Sequence, residues 1–213
     1  MKLALIGASG LMGSAILREA LARGHQATAV GRHPEKLPHH PNLVPLKGDV
    51  ANEAETAAQV AGHDALISAY SPDKGVADMY QQHLAAYRAI LRSVRMAGVK
   101  RLLVVGGVGS LEVEPGVLYL DTPAFPNAWK TGGRANRDVL LLLRAESELE
   151  WTCLSPPAMS EPGQRTGRFR LGGDQLLTDA NGQSWISVED YAVAMLDEVE
   201  NPQHIRQRFT VGY

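Results

Sequence analysis

The stretch Gly7-Ala8-Ser9-Gly10-Leu11-Met12-Gly13 constrains the fold more than any other part of the chain. It follows a short apolar run at 3–6 and precedes a segment, 11–23, with apolar residues at Leu11, Ala15, Leu17 and Leu21 and charges at Arg18, Glu19 and Arg23. A four-residue apolar run bounded by glycine has the form of a strand buried on both faces. The segment after it reads as a helix that Gly24 stops. In such a strand-to-helix turn Gly7 permits the tight bend, Gly10 lets the backbone approach a pyrophosphate, and Gly13 lets helix and strand pack closely. Exposed N–H groups and the positive end of the helix dipole favour an anion there. The spacing is G-x-x-G-x-x-G and not the more familiar G-x-G-x-x-G. The strand-turn-helix context therefore carries the reading.

Further strands are expected over 26–30, 43–46, 64–68, 101–105, 151–154, 185–187 and 208–211, and helices over 53–60, 77–97, 135–149 and 188–199. Pro45 cannot donate to a sheet ladder, so the strand at 43–46 belongs at an edge. Prolines and glycines make 155–173 irregular. Strands alternating with helices give a parallel sheet covered on both faces, and right-handed crossovers make it doubly wound. The expected fold is α/β, a single doubly wound parallel-sheet (Rossmann) domain over 1–213, with a small substrate-side region from about residue 155 onward.

Composition removes several function classes. The 213 residues carry a formal net charge of −2, which offers nucleic acid no electrostatic footing. The densest basic group, Arg165, Arg168 and Arg170, reads as a solvated loop. No run approaches the roughly 20 apolar residues that span a bilayer. Gly7 and Ser9–Gly10 break the apolar N-terminus before it could form a signal-peptide core, so a cytoplasmic protein without membrane association is expected. The single cysteine, Cys153, excludes an internal disulfide and a Cys-rich metal site, and its neighbours Trp151, Thr152 and Leu154 place it in a buried strand. The seven histidines show no H-E-x-x-H spacing, so no catalytic metal is expected, and there is no G-x-S-x-G elbow.

The end of the second strand bears on cofactor choice. An acid there would hold the ribose 2′-hydroxyl of NAD, whereas an arginine suits the 2′-phosphate of NADP through its planar fork. The sequence AVGRHPEK puts Arg32 at that place, with no carboxylate until Glu35, and His33 and Lys36 can add charge. NADP(H) is preferred and NAD(H) remains possible. Asp49, followed by Val50, either accepts hydrogen bonds from adenine or caps the helix that follows; the two roles are compatible. Ser68, Ala69 and Tyr70 end the fourth strand and residues 106–110 end the fifth. Both segments should border the cofactor, since ligands lie outside the carboxyl ends of strands in such sheets.

Taken with the motifs GASGLMG, LISAYSP, KRLLVVGGVGSL, WTCLSPPAMSEPG and WISVEDYAVAMLDEVENP, the chain resembles the atypical short-chain dehydrogenase/reductases. Within them it is similar to the NmrA-like branch that includes NADH-flavin reductases and the biliverdin reductase B type. The resemblance implies a cofactor path over Gly7, Ser9, Gly10, Leu11, Met12 and Gly13, then Arg32, Asp49 and 68–70. It implies a continuation past Gly107 to Ser155, Pro156, Pro157 and Ala158 near the nicotinamide. Typical members of the wider superfamily pair a serine with a later Tyr-x-x-x-Lys. Ser110 matches the serine, but the nearby downstream lysine is Lys130, and four residues before it stands Pro126. Ketone or alcohol chemistry needs a positioned acid; flavins and quinones take protons from solvent. The expected function is therefore an NAD(P)H-dependent oxidoreductase acting on a small planar acceptor such as a flavin or quinone. The same missing pair fits a non-catalytic NADP(H)-binding redox sensor, and a nucleotide-sugar epimerase or dehydratase ranks third. Ser110 and Lys130 are the catalytic candidates. Tyr70, Tyr119, Trp129 and Ala158 are the substrate-side ones, and a monomer or small homo-oligomer is expected.

Overall fold

The computed structural model describes residues 1–73 and 75–213. In chain order the elements are β1 Lys2–Ile6, α1 Leu11–Ala22, β2 Gln26–Gly31, β3 Leu43–Lys47, α2 Glu53–Val60, β4 Ala65–Ser68, α3 Met79–Met96 and β5 Arg101–Val105. They continue with β6 Glu112–Glu114, β7 Val117–Leu118, α4 Lys130–Arg144, β8 Glu150–Ser155, β9 Met159–Glu161, β10 Arg170–Gly172, β11 Trp185–Ser187, α5 Val188–Glu200 and β12 Gln207–Gly212. The central sheet runs β10-β12-β8-β5-β4-β1-β2-β3. Its neighbours are parallel except β10, which lies antiparallel on β12. The chain order reverses at β1, between β2 on one side and β4 on the other, which makes the crevice beyond these strands the switch point of a doubly wound sheet. Pro45 sits on β3, the outermost strand, where a missing ladder donor costs nothing.

Alternation along the buried strands divides the core. Leu3 and Leu5 of β1 face α1 and α5, with Ile16, Leu17, Tyr191 and Leu196. Ala4 and Ile6 face the other side, with Val60 of α2, Tyr87 and Ile90 of α3, and Val139 and Leu143 of α4. Each fully buried aliphatic side chain contributes about 1.5–3 kcal/mol relative to exposure, and both faces of β1 collect this term. Among the described residues no helix is long and apolar enough to cross a membrane.

Several sequence expectations need correction. The fourth helix begins at Lys130, five residues before the expected start at 135. Gly132 and Gly133 lie inside it, and at Gly133 the helix packs too closely for a side chain: a Cβ there would stand 2.8 Å from Leu120 Cδ1 and 2.9 Å from Phe125 Cζ. The helix ends at Arg144 and not at 149, where the buried Glu146 carboxylate accepts the N–H groups of Glu148 and Leu149. The stretch 155–173 contains β9 and β10, three-residue strands made by distant pairing with β11 and β12, for which no local pattern exists. The arginine trio is exposed, as a solvated loop would be, with Arg165 and Arg168 outside any element and Arg170 in β10, but two of its members are engaged. Arg165 places its fork on the buried Glu19 carboxylate at 2.8 Å through both nitrogens, and Arg170 donates to the backbone carbonyls of Thr178 and Tyr213.

Candidate functional site: a dinucleotide crevice

The three glycines meet different neighbours. Gly7 has φ +80°, and a Cβ on it would lie 2.4 Å from Ala69 O and 3.0 Å from Tyr70 N. The ends of β1 and β4 therefore touch backbone to backbone. A Cβ on Gly13 would lie 2.0 Å from Gly7 O, so helix and turn are in direct contact. Gly10 is exposed, and a Cβ there would meet only Gly7 O, at 3.4 Å. The protein does not need glycine at that position for its own packing; the space that a side chain would fill lies outside, as for a ligand approaching the backbone. Gly10 is also the N-cap of α1, which has no side-chain cap and no acid in its first turn. Ser9 and Leu11 are exposed and Met12 is half-buried around it. An uncapped helix start with free N–H groups fits the diphosphate of a dinucleotide.

At the end of β2, Arg32 extends into solvent and makes a two-pronged pair with Asp73: Nη1 to Oδ2 at 2.9 Å and Nη2 to Oδ1 at 2.8 Å. The Arg32 hydrogen bonds and charge hold the Asp73 carboxyl below its ordinary range. No carboxylate follows Arg32 in the chain before Glu35, but the fold supplies one from a distant segment. Asp73 lies 41 residues away along the chain and reaches Arg32 because β2 and β4 flank β1. His33 Nδ1 is 3.1 Å from Glu35. Asp49 is exposed and its Oδ1 accepts the Ala51 N–H at 3.0 Å, closing its own turn. The cap of α2 is Asn52, so the capping alternative for Asp49 falls. Val50 turns inward to the core on the α2 and α3 side.

Further along, Ser68, Tyr70 and Tyr87 form a closed ring of long hydrogen bonds. Ser68 Oγ donates to Tyr87 Oη, Tyr87 Oη donates to Tyr70 O, and Tyr70 N–H returns to Ser68 Oγ, each at 3.4 Å. Tyr70 packs edge-on against Tyr87 at 6.2 Å and near His83 at 6.1 Å. Burial raises its phenol above the usual value while Arg32 opposes this, so the group is protonated at neutral pH. His83, missed in the sequence, is buried, and desolvation pushes it down to about 4, leaving it neutral; its Nε2 has no hydrogen-bond partner among the described residues. The available signal was its place four residues before Tyr87 on the apolar face of α3. Beyond β5, a Cβ on Gly107 would lie 2.6 Å from Asn136 Cβ, and one on Gly106 3.0 Å from Ser155 Oγ. The turn after β5 is therefore wedged between α4 and the end of β8. Ser155 is buried, its Oγ unpartnered among the described residues; Pro157 is buried, and Pro156 and Ala158 are half-buried.

The catalytic candidates fare differently. Ser110 is 5% exposed, its hydroxyl donates to Gly107 O at 3.1 Å, and Arg208 donates to its carbonyl at 3.2 Å. It ties its own turn together. Lys130 is not in a loop but opens α4, directly after the exposed Trp129. Tyr119 stands edge-on to Phe125 at 5.2 Å and Phe125 to Trp129 at 6.4 Å, a small aromatic group against the turn after β5. A Tyr-x-x-x-Lys string does occur upstream of Ser110, from Tyr70 to Lys74. Tyr70 and residues 71–73 leave β4 outside any helix, with Pro72 among them, so helical spacing does not relate that tyrosine to the lysine. Lys74 itself lies outside the described residues.

Residues 7–202 match the family described as NAD(P)H-binding. An uncharacterized protein of Bacillus subtilis, YwnB, is 39% identical over 214 residues, covering 99% of this chain and 98% of that one. A solved structure from Bacteroides thetaiotaomicron, provisionally named an epimerase, superposes with a TM-score of 0.94 at 45% identity, over 100% of this chain and 96% of that one. Another, from Streptococcus pneumoniae and provisionally named an NADH-flavin reductase, gives a TM-score of 0.84 at 34% identity, over 100% and 99% of the two chains.

Proposed function

The chain belongs to the NAD(P)H-binding family, and on that premise we propose that it is a reductase, favouring NADP(H), that delivers hydride to a flat conjugated acceptor such as a flavin or a quinone. The open face of Gly10 at the uncapped start of α1 carries the proposal, because it is a cradle that the protein's own packing does not require.

When bound, NAD(P)H supplies the hydride, and the acceptor takes that hydride together with one proton. The N–H groups at Ser9, Leu11 and Met12 hold the diphosphate, while that of Gly10 donates to Gly7 O at 3.1 Å and keeps the turn closed. Arg32, helped by His33, binds the 2′-phosphate through its fork. Asp49 spends one oxygen on its own turn and keeps the other for the adenine amine. Tyr70, Gly107 and the 155–157 segment wall the nicotinamide, while Tyr119, Trp129 and Ala158 border the acceptor. Ser110 keeps the turn after β5 in place and moves no proton, and Lys130 is given none. Reduced flavins and quinones draw their proton from water, which suits a site where His83, beside Tyr70, is buried and neutral. The name of the Streptococcus pneumoniae relative supports the acceptor class.

Following NADPH oxidation with FMN, riboflavin and a short-chain quinone tests the proposal. Turnover above the uncatalysed rate with at least one of them is the expected result. Tight binding of NADPH with none reduced would place the chain among non-catalytic sensors.

A further inference from the structure

We propose that Asp73 sets the balance between the two pyridine nucleotides by competing with the 2′-phosphate for Arg32. The inference rests on the reading that Arg32 faces the ribose. In the structure both outer nitrogens of the Arg32 fork are already taken, one by each oxygen of the same carboxylate, at 2.9 and 2.8 Å. Two parallel N–H···O bonds from one guanidinium are the arrangement a phosphate would ask of it. The carboxylate of Asp73 thus stands where two phosphate oxygens would stand.

A phosphorylated ribose can reach Arg32 only when Asp73 lets go, and the released carboxylate then remains beside the incoming dianion. Asp49 adds a further negative charge on that side, and His33 and Lys36 offset it. A ribose with a bare 2′-hydroxyl asks for no such exchange. It leaves the pair closed and finds in Asp73 an acceptor for its own proton. The acid that NAD-using sheets carry at the end of the second strand is here brought in from the end of β4 instead. The pair is open to water, with side-chain exposures of 53% and 64%, so its release is cheap and both nucleotides remain admissible.

The test is the dissociation constant of NADPH and of NADH, followed by nucleotide fluorescence, for the unaltered protein, Asp73→Asn, Arg32→Ala and the double variant. Both side chains are on the surface, so the variants keep the fold. Asp73→Asn should tighten NADPH by about fivefold, the range of an exposed ion pair, and leave NADH unchanged or weaker. Most of that gain should vanish in the Arg32→Ala background, and it should shrink at high salt. If Asp73→Asn leaves NADPH binding unchanged while Arg32→Ala still weakens NADPH selectively, the role of Asp73 is overturned and that of Arg32 stands. If Arg32→Ala affects both nucleotides equally, the reading of Arg32 itself fails.

Discussion

Gly10 and Gly13 are three residues apart and look equivalent in the sequence, yet the structure separates their duties. A methyl on Gly13 would press 2.0 Å from Gly7 O, a contact only backbone movement can relieve. Gly13→Ala should therefore lower stability by about 1–3 kcal/mol, the usual cost of overpacking, seen as a lower melting temperature with or without nucleotide. A methyl on Gly10 meets nothing closer than 3.4 Å, and its φ of −78° suits alanine. Gly10→Ala should keep the melting temperature of the free protein and weaken dinucleotide binding; equal thermal losses for the two variants would contradict this division. Arg32→Glu should weaken NADPH by about tenfold or more, the value of charge-assisted hydrogen bonds lost, and NADH much less. Equal losses in a titration would show that Arg32 does not read the phosphate. Both glycines and Arg32 were legible in the sequence because each depends on a local turn. Asp73 and His83 were not, because their partners come from other strands and helices.

The helix α5 shows the same contrast at the level of an element. Its start falls at Val188 as expected from the sequence, and Ser187 caps it, its Oγ accepting the Asp190 N–H at 3.0 Å. The carboxylate of Asp190, however, reaches away to the N–H groups of Thr166 and Gly167 at 2.8 Å and to the Tyr213 hydroxyl at 2.7 Å. One acid therefore pins α5, the loop at 163–168 and the C-terminus together. Burial works to raise its pKa, but these hydrogen bonds prevail and hold it below the ordinary value. A folded-state pKa below the unfolded one means stability that is complete above about pH 4 and is lost as pH falls through the folded value. Asp190→Asn should cost about 1–3 kcal/mol at pH 7 and less at acid pH. Urea unfolding of both proteins at neutral and acid pH measures the difference; a cost that does not shrink in acid would show that the charge is not what matters. The early start of α4 was hidden for a related reason: glycines that fit a close neighbour cannot be told from glycines that end a helix until the neighbour is known.

Over the whole molecule, the two core layers share the strands of one sheet, and Cys153 reports on one of them. It lies in β8 within the layer under α3 and α4, and burial pushes its thiol up to about 12. Alkylation at pH 8 should be negligible in the folded protein and should rise along the same denaturant curve as the loss of helix signal. Labelling well before that transition would mean that β8 opens separately. What the residues determine by themselves is the alternation of strands and helices, the edge place of β3, the doubly wound class and the phosphate turn. Each is written in periodicity or in a contiguous motif, which act over a few residues and need no distant partner. What only the tertiary structure decided is which side chains share the crevice and in what state: Arg32 held by Asp73, Ser110 closed on its own turn, Asp49 released from capping, His83 neutral among tyrosines. These depend on strands that neighbour one another in the sheet but not in the chain, and on burial, which no short stretch of sequence carries.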